Sequence, residues 1–253
     1  MTSATPATLG GRVVLITGGA RRLGAAIARL LHAEGANLLI HHRRSQATAA
    51  ALAAEFNALR PGSAATHGAD LLDLDALPGV VRACLAAFGR LDVLINNAST
   101  FYPTPVGEIG AAEFDDLIGT NLRAPLFLAQ AAAIELRLRR GLVLNMADIH
   151  ALRPLKRHTV YCAAKAGLVM LTQSLARELG PQVRVNAIAP GPVLWPEGEL
   201  DQELRARILE RTALKRIGSP EDVARAALYF IRDAPYVTGQ VLAVDGGRTV
   251  GGL

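Results

Sequence analysis

What most constrains this chain is the alternation, along almost its whole length, of short β-branched runs with longer Ala/Leu-rich stretches. RVVLIT, NLLIHH, SAATHGAD, LDVLINNA, LVLNMA, VRVNAIAP and QVLAVDGG read as strands, and 23–34, 46–59, 74–88, 112–138, 160–179 and 221–231 read as helices. Repeated strand–helix–strand units with short connections build a parallel sheet with helices on both faces. The expected fold is α/β: one doubly wound, Rossmann-like domain of about seven strands spanning 11–253, after a flexible Thr/Ala/Pro segment at 1–10. A 51% hydrophobic content with few aromatics suits aliphatic strands under Ala/Leu helices.

Charge and cysteine usage narrow the function classes. The 27 basic and 22 acidic residues are interspersed, so the net charge of +5 suggests an anionic cofactor or substrate and no nucleic-acid partner. Cys84 and Cys162 are too few and too distant for a disulfide framework, which fits a reducing cytoplasm. The opening MTSATPATLGG has no signal-peptide pattern, and no uncharged apolar run reaches about 18 residues, so no membrane partner is expected; no metal ligands are assigned either.

TGGARRLG joins the first strand to the first helix. Gly18 permits a tight turn there, Gly24 permits close helix–strand approach, and the amides at the helix start face a diphosphate. The second strand ends in HHRRSQ, without the acid that accepts ribose hydroxyls of NAD. Arg44, Ser45 and His41 are expected to bind a 2′-phosphate by charge-assisted hydrogen bonds, which implies NADPH. Asp70, closing the third strand, faces the adenine amino group or caps the following turn.

Tyr161 and Lys165 stand four apart in TVYCAAKAGL and so share a helix face; Asp148 lies 13 residues upstream in NMADIH. Together they read as a proton-transfer site, with the Lys165 charge expected to lower the phenol pKa.

These pieces, with NNAS at 96–99, Asn121 in GTNL, Pro190-Gly191 and the terminal VDGG, resemble the short-chain dehydrogenase/reductase superfamily from Val13 to about Gly247. The resemblance implies that Tyr161 donates the proton, Lys165 binds the nicotinamide ribose and Asn121 maintains a water-linked relay. It also places Arg21, Leu23, Leu71, Asn97, Ala98, Pro190, Gly191 and Val193 against the cofactor, and it implies a homotetramer paired through helices 112–138 and 160–179.

Three departures narrow the resemblance. Arg22 replaces the middle glycine of the loop, Ser99 stands where glycine is usual, and Asp148 holds the place of the usual catalytic serine. With FYPTP after NNAST and HHRRS after the second strand, the chain looks like the pteridine reductases. That resemblance implies that Phe101 stacks on the pterin, that Ser99 hydrogen-bonds its edge, that Arg22 bridges it to the cofactor phosphate, and that Asp148 orients Tyr161. Each has a plainer reading: Asp148 as a turn cap, Phe101 as a packed loop aromatic, Arg22 as a surface ion-pair partner. Trp195 either walls the pocket or belongs to an ordinary surface excursion at 193–212, and His150 and His158 receive no role. The expected activity is NADPH-dependent reduction of a dihydropterin, possible extensions being oxidised pterins and dihydrofolate. A carbonyl reductase acting on an oxoacyl thioester and a non-catalytic NADPH sensor stand as alternatives.

Overall fold

In the computed structural model, which describes residues 8–194 and 201–250, seven parallel strands form one sheet in the order β3-β2-β1-β4-β5-β6-β7. They are β1 Val13–Ile16, β2 Asn37–His42, β3 Ala64–Gly68, β4 Val93–Asn96, β5 Leu142–Met146, β6 Arg184–Pro190 and β7 Val241–Val244. The helices are α1 Arg22–Ala33, α2 Gln46–Leu59, α3 Leu77–Phe88, α4 Ala111–Ile118, α5 Ala124–Arg139, α6 Thr159–Leu179, α7 Gln202–Glu210 and α8 Pro220–Arg232. The strand order reverses between β1 and β4, and a crevice opens there at the carboxyl ends of the strands.

The apolar strands are continuous because both faces of the sheet are covered. Val14 and Ile16 of β1 point into a core shared with α1, α2 and α8, whereas Val13 and Leu15 point into one shared with α3, α5 and α6. The amphipathic α8 starts from a capping box in which Ser219 and Asp222 satisfy each other's backbone amides, with Pro220 in the first turn.

The sequence expectations need two corrections here. The flexible leader was drawn to residue 10, yet Leu9 is fully buried and its N–H donates to the Glu34 carbonyl at 2.8 Å; residues 1–7 lie outside the described residues. The helix drawn continuously over 112–138 is two helices joined by a π turn, Gly119–Arg123. The stretch Ala111–Arg139 is long and apolar enough to cross a membrane by length and composition alone, although Arg123 keeps it from being an uncharged run of 18. Half of its most apolar part is buried, and Leu128, Ala129, Ala132 and Leu136 pack in the core of this fold, which accounts for its apolarity.

Candidate active site

The turn after β1 is built by its glycines and by the side chains of Thr17 and Asn97. Gly18 has φ +59°, a conformation costly for other residues, and a Cβ on Gly24 would collide with the Gly18 carbonyl oxygen. Asn97, the residue after β4, donates from Nδ2 to the carbonyls of Thr17 and Gly18 at 2.9 and 3.0 Å. Thr17 Oγ1 in turn accepts the N–H groups of Asn97 and Ala98 at 2.9 and 3.0 Å. This clamp between the β1 and β4 turns shapes a cleft of about 460 Å³. Of the residues assigned to the cofactor from sequence, Gly18, Arg21, Arg22, Leu23, Gly24, His41, Arg44, Ser45, Asp70, Leu71, Asn97, Ala98 and Ser99 line it.

Arg22 opens α1 with φ +50°, the left-handed backbone for which glycine is suited. Arg44 is exposed, with no ion-pair partner among the described residues, beside Ser45 at the start of α2. Asp70 lines the cleft, and its Oδ1 caps the following turn by accepting the Leu72 N–H at 3.1 Å. Its Oδ2 also pairs with Arg43 Nε at 3.0 Å. Arg43, present in the basic cluster but assigned nothing from sequence, also lines the cleft.

His41 departs from its predicted role. It is 1% exposed; Nδ1 accepts the Gly18 N–H at 3.2 Å and Nε2 meets the Ala69 carbonyl at 3.1 Å. Burial pushes its pKa down to about 4, so the ring is neutral and holds the glycine turn in place of a charged contact to phosphate.

Tyr161, Asp148 and Asn121 gather where Ser99 leaves the cleft. The Tyr161 hydroxyl donates to Asp148 Oδ2 at 2.8 Å, and Asp148 Oδ1 accepts the His150 N–H at 2.8 Å. Asp148 is therefore both turn cap and partner of the phenol. Ser99 Oγ donates to Asn121 Oδ1 at 2.6 Å, and Asn121 Nδ2 donates to the carbonyls of Thr100 and Leu117 at 3.0 and 2.9 Å. The π turn presents Asn121 to this loop, which no periodicity in the sequence could show.

Lys165 shares the Tyr161 face of α6, its Nζ 5.6 Å from the phenol ring centroid, and donates to the Met146 carbonyl at 2.8 Å. The expectation that Lys165 lowers the phenol pKa is corrected. Burial, then the Asp148 charge and hydrogen bond, raise it well above its usual range, with Ser99 opposing by hydrogen bonding. Tyr161 is a protonated donor. Lys165 is itself pushed down to about 8 by burial, with Asp148 opposing.

Phe101 is half-exposed beside this group, edge-on to Tyr161 at 4.8 Å between centroids. Pro190 ends β6 next to the β5 terminus and Gly191 follows it, glycine being required there because a Cβ would strike Asp245. Val193 is buried in the core, leaving its backbone for any ligand contact. Trp195 lies outside the described residues.

Fold, glycine turn and Tyr–Lys pair thus define a dinucleotide-dependent oxidoreductase site. Residues 18–249 match the family model described as enoyl-(acyl carrier protein) reductase, and the chain belongs to the short-chain dehydrogenase/reductase family. It is 37% identical to pteridine reductase 1 of Leishmania tarentolae over 94% of this chain and 96% of that protein. It is also 38% identical to L-rhamnose 1-dehydrogenase (NAD(P)(+)) of Azotobacter vinelandii, over 94% and 97%. The 3-oxoacyl-(acyl-carrier-protein) reductase of Staphylococcus aureus is 34% identical, over 92% and 96%. Among solved structures, a blue fluorescent protein from a metagenomic library in complex with NADPH superposes with a TM-score of 0.90 at 32% identity, covering 96% of this chain and 99% of that one.

Proposed function

We propose that this oxidoreductase is an NADPH-dependent pteridine reductase, converting dihydropterins to tetrahydropterins. The observation that carries the reading is the carboxylate of Asp148 on the Tyr161 hydroxyl. A carbonyl reductase develops negative charge on substrate oxygen, and a carboxylate at that point repels it. Reduction of a ring C=N bond instead requires a proton on nitrogen, and a protonated phenol oriented by an acid supplies one.

NADPH, when bound, supplies the hydride that goes to the ring carbon. Arg44, Ser45 and the α2 start suit its 2′-phosphate, and the α1 start and Gly18 turn suit its diphosphate. Phe101 offers the pterin a stacking surface, Arg22 a cation, and Tyr161 the proton for the ring nitrogen. Lys165 holds positive charge near the phenolate that remains, and Asn121 and Ser99 lead away from it as the path of proton resupply.

Apolar Phe114 on α4, Ile134 and Leu138 on α5 and Met170 on α6 are exposed, which supports assembly into a homotetramer through these helices. Cys84 and Cys162 are free, in keeping with a cytoplasmic enzyme.

The test is NADPH consumption by purified protein with dihydropterins, oxidised pterins, dihydrofolate and an acetoacetyl thioester, with NADH in parallel. Turnover of pterins with NADPH is expected. Turnover of the thioester alone would replace this reading with carbonyl reduction.

A further inference from the structure

Phe101 sits in an irregular segment after β4 and is 52% exposed, so its own loop does little to hold the ring. One of its faces is covered by the imidazole of His158, with centroids 4.6 Å apart and planes 14° from parallel. The imidazole is itself fixed, because Nδ1 meets the Lys156 carbonyl at 2.9 Å. The two segments are also stitched together by backbone. The buried Thr104, three residues beyond Phe101, forms a parallel bridge with His158, donates its N–H to the Arg157 carbonyl and accepts the Val160 N–H on Oγ1. The α6 start that carries Tyr161 therefore also carries the ring that backs Phe101.

We propose that His158 is a positioning residue: stacked on Phe101, it holds that ring in the edge-on relation to Tyr161 in which the ligand meets it. The proposal rests on the reading of Phe101 as the ligand's stacking surface. Without its backing, a half-exposed phenyl ring samples other rotamers, and a ligand must then order it on binding. A stacked pair of this kind is worth roughly two- to twelvefold in an equilibrium constant. Its loss should appear in KM and spare kcat, because the imidazole engages the Lys156 carbonyl and the Phe101 ring and makes no hydrogen bond to the Tyr161–Asp148 pair, through which the proton is proposed to move.

The experiment compares wild type, His158→Ala, His158→Phe, Phe101→Ala and the double alanine variant, with NADPH saturating and a 7,8-dihydropterin varied, after thermal melts establish that all are folded. His158→Ala should raise KM about three- to tenfold with kcat within about twofold. His158→Phe should restore KM, and the double variant should be no worse than Phe101→Ala, since one interaction cannot be lost twice. An unchanged KM in His158→Ala beside a raised KM in Phe101→Ala overturns the proposal alone. A lowered KM in His158→Ala also overturns it, showing that the imidazole occupies the face the ligand needs. If Phe101→Ala itself leaves KM unchanged, both the proposal and the stacking-surface reading fall.

Discussion

The Tyr161 hydroxyl and Asp148 Oδ2 are 2.8 Å apart, and the second oxygen of the same carboxylate is fixed by the His150 amide. The phenol is thus oriented by a group that cannot rotate freely. Tyr161→Phe should lower kcat about 10²- to 10⁴-fold while NADPH binding, followed by cofactor fluorescence, persists. Asp148→Ala should lower kcat about 10²-fold by the same logic. A Tyr161→Phe protein that keeps its rate would remove the phenol from the chemistry, and a response to NADPH without any turnover in wild type would favour a sensor.

Lys165 is charged below about pH 8 and neutral above it. Its charge favours the phenolate left after proton transfer, so kcat/KM should fall as pH rises through about 8. Lys165→Arg, whose charge persists to higher pH, should move that limb upward. A pH–rate profile flat from 7 to about 10 would exclude the role, given that reference phenol and amine pKa values lie near 10.

Arg22 occupies a left-handed backbone position at a cost of roughly 1–2 kcal/mol. Arg22→Gly should therefore stabilise the protein by about 1 kcal/mol while raising KM for substrate or cofactor. Thermal melting and steady-state kinetics on the same preparation check both halves.

Arg44→Ala should raise the NADPH KM about tenfold or more, the worth of a charge-assisted hydrogen bond, with little change for NADH. Equal losses for the two cofactors would dissociate Arg44 from the 2′-phosphate.

His41 is buried and neutral, with its pKa depressed from 6.5 to about 4. The unfolded chain binds its proton more readily, so this stability is fully present above pH 6.5 and is lost as pH falls toward 4, on the order of 3 kcal/mol. His32, also depressed by burial, adds in the same direction. Melting temperature against pH should drop over this window, and His41→Gln should flatten part of the drop.

Much of the site was legible because its chemistry is local. The glycine spacing in TGGARRLG corresponds to a positive φ at Gly18 and a close approach at Gly24. The four-residue spacing of Tyr161 and Lys165 corresponds to one face of α6. Arg43 was passed over because nothing in HHRRS tells which arginine pairs with Asp70 across to β3. Thr17 was passed over because its two accepted amides come from 80 and 81 residues away.

By itself the sequence determined the strand–helix order, the parallel sheet and the residues that can do chemistry, because periodicity, turn residues and helix spacing act over a few positions. The tertiary structure alone decided protonation and pairing. It made His41 a neutral strut, raised the phenol where a neighbouring lysine was expected to lower it, broke a long helix to present Asn121, and set His158 against Phe101. Those outcomes depend on burial and on contacts between residues distant in the chain, which enter only when the sheet closes and water is excluded.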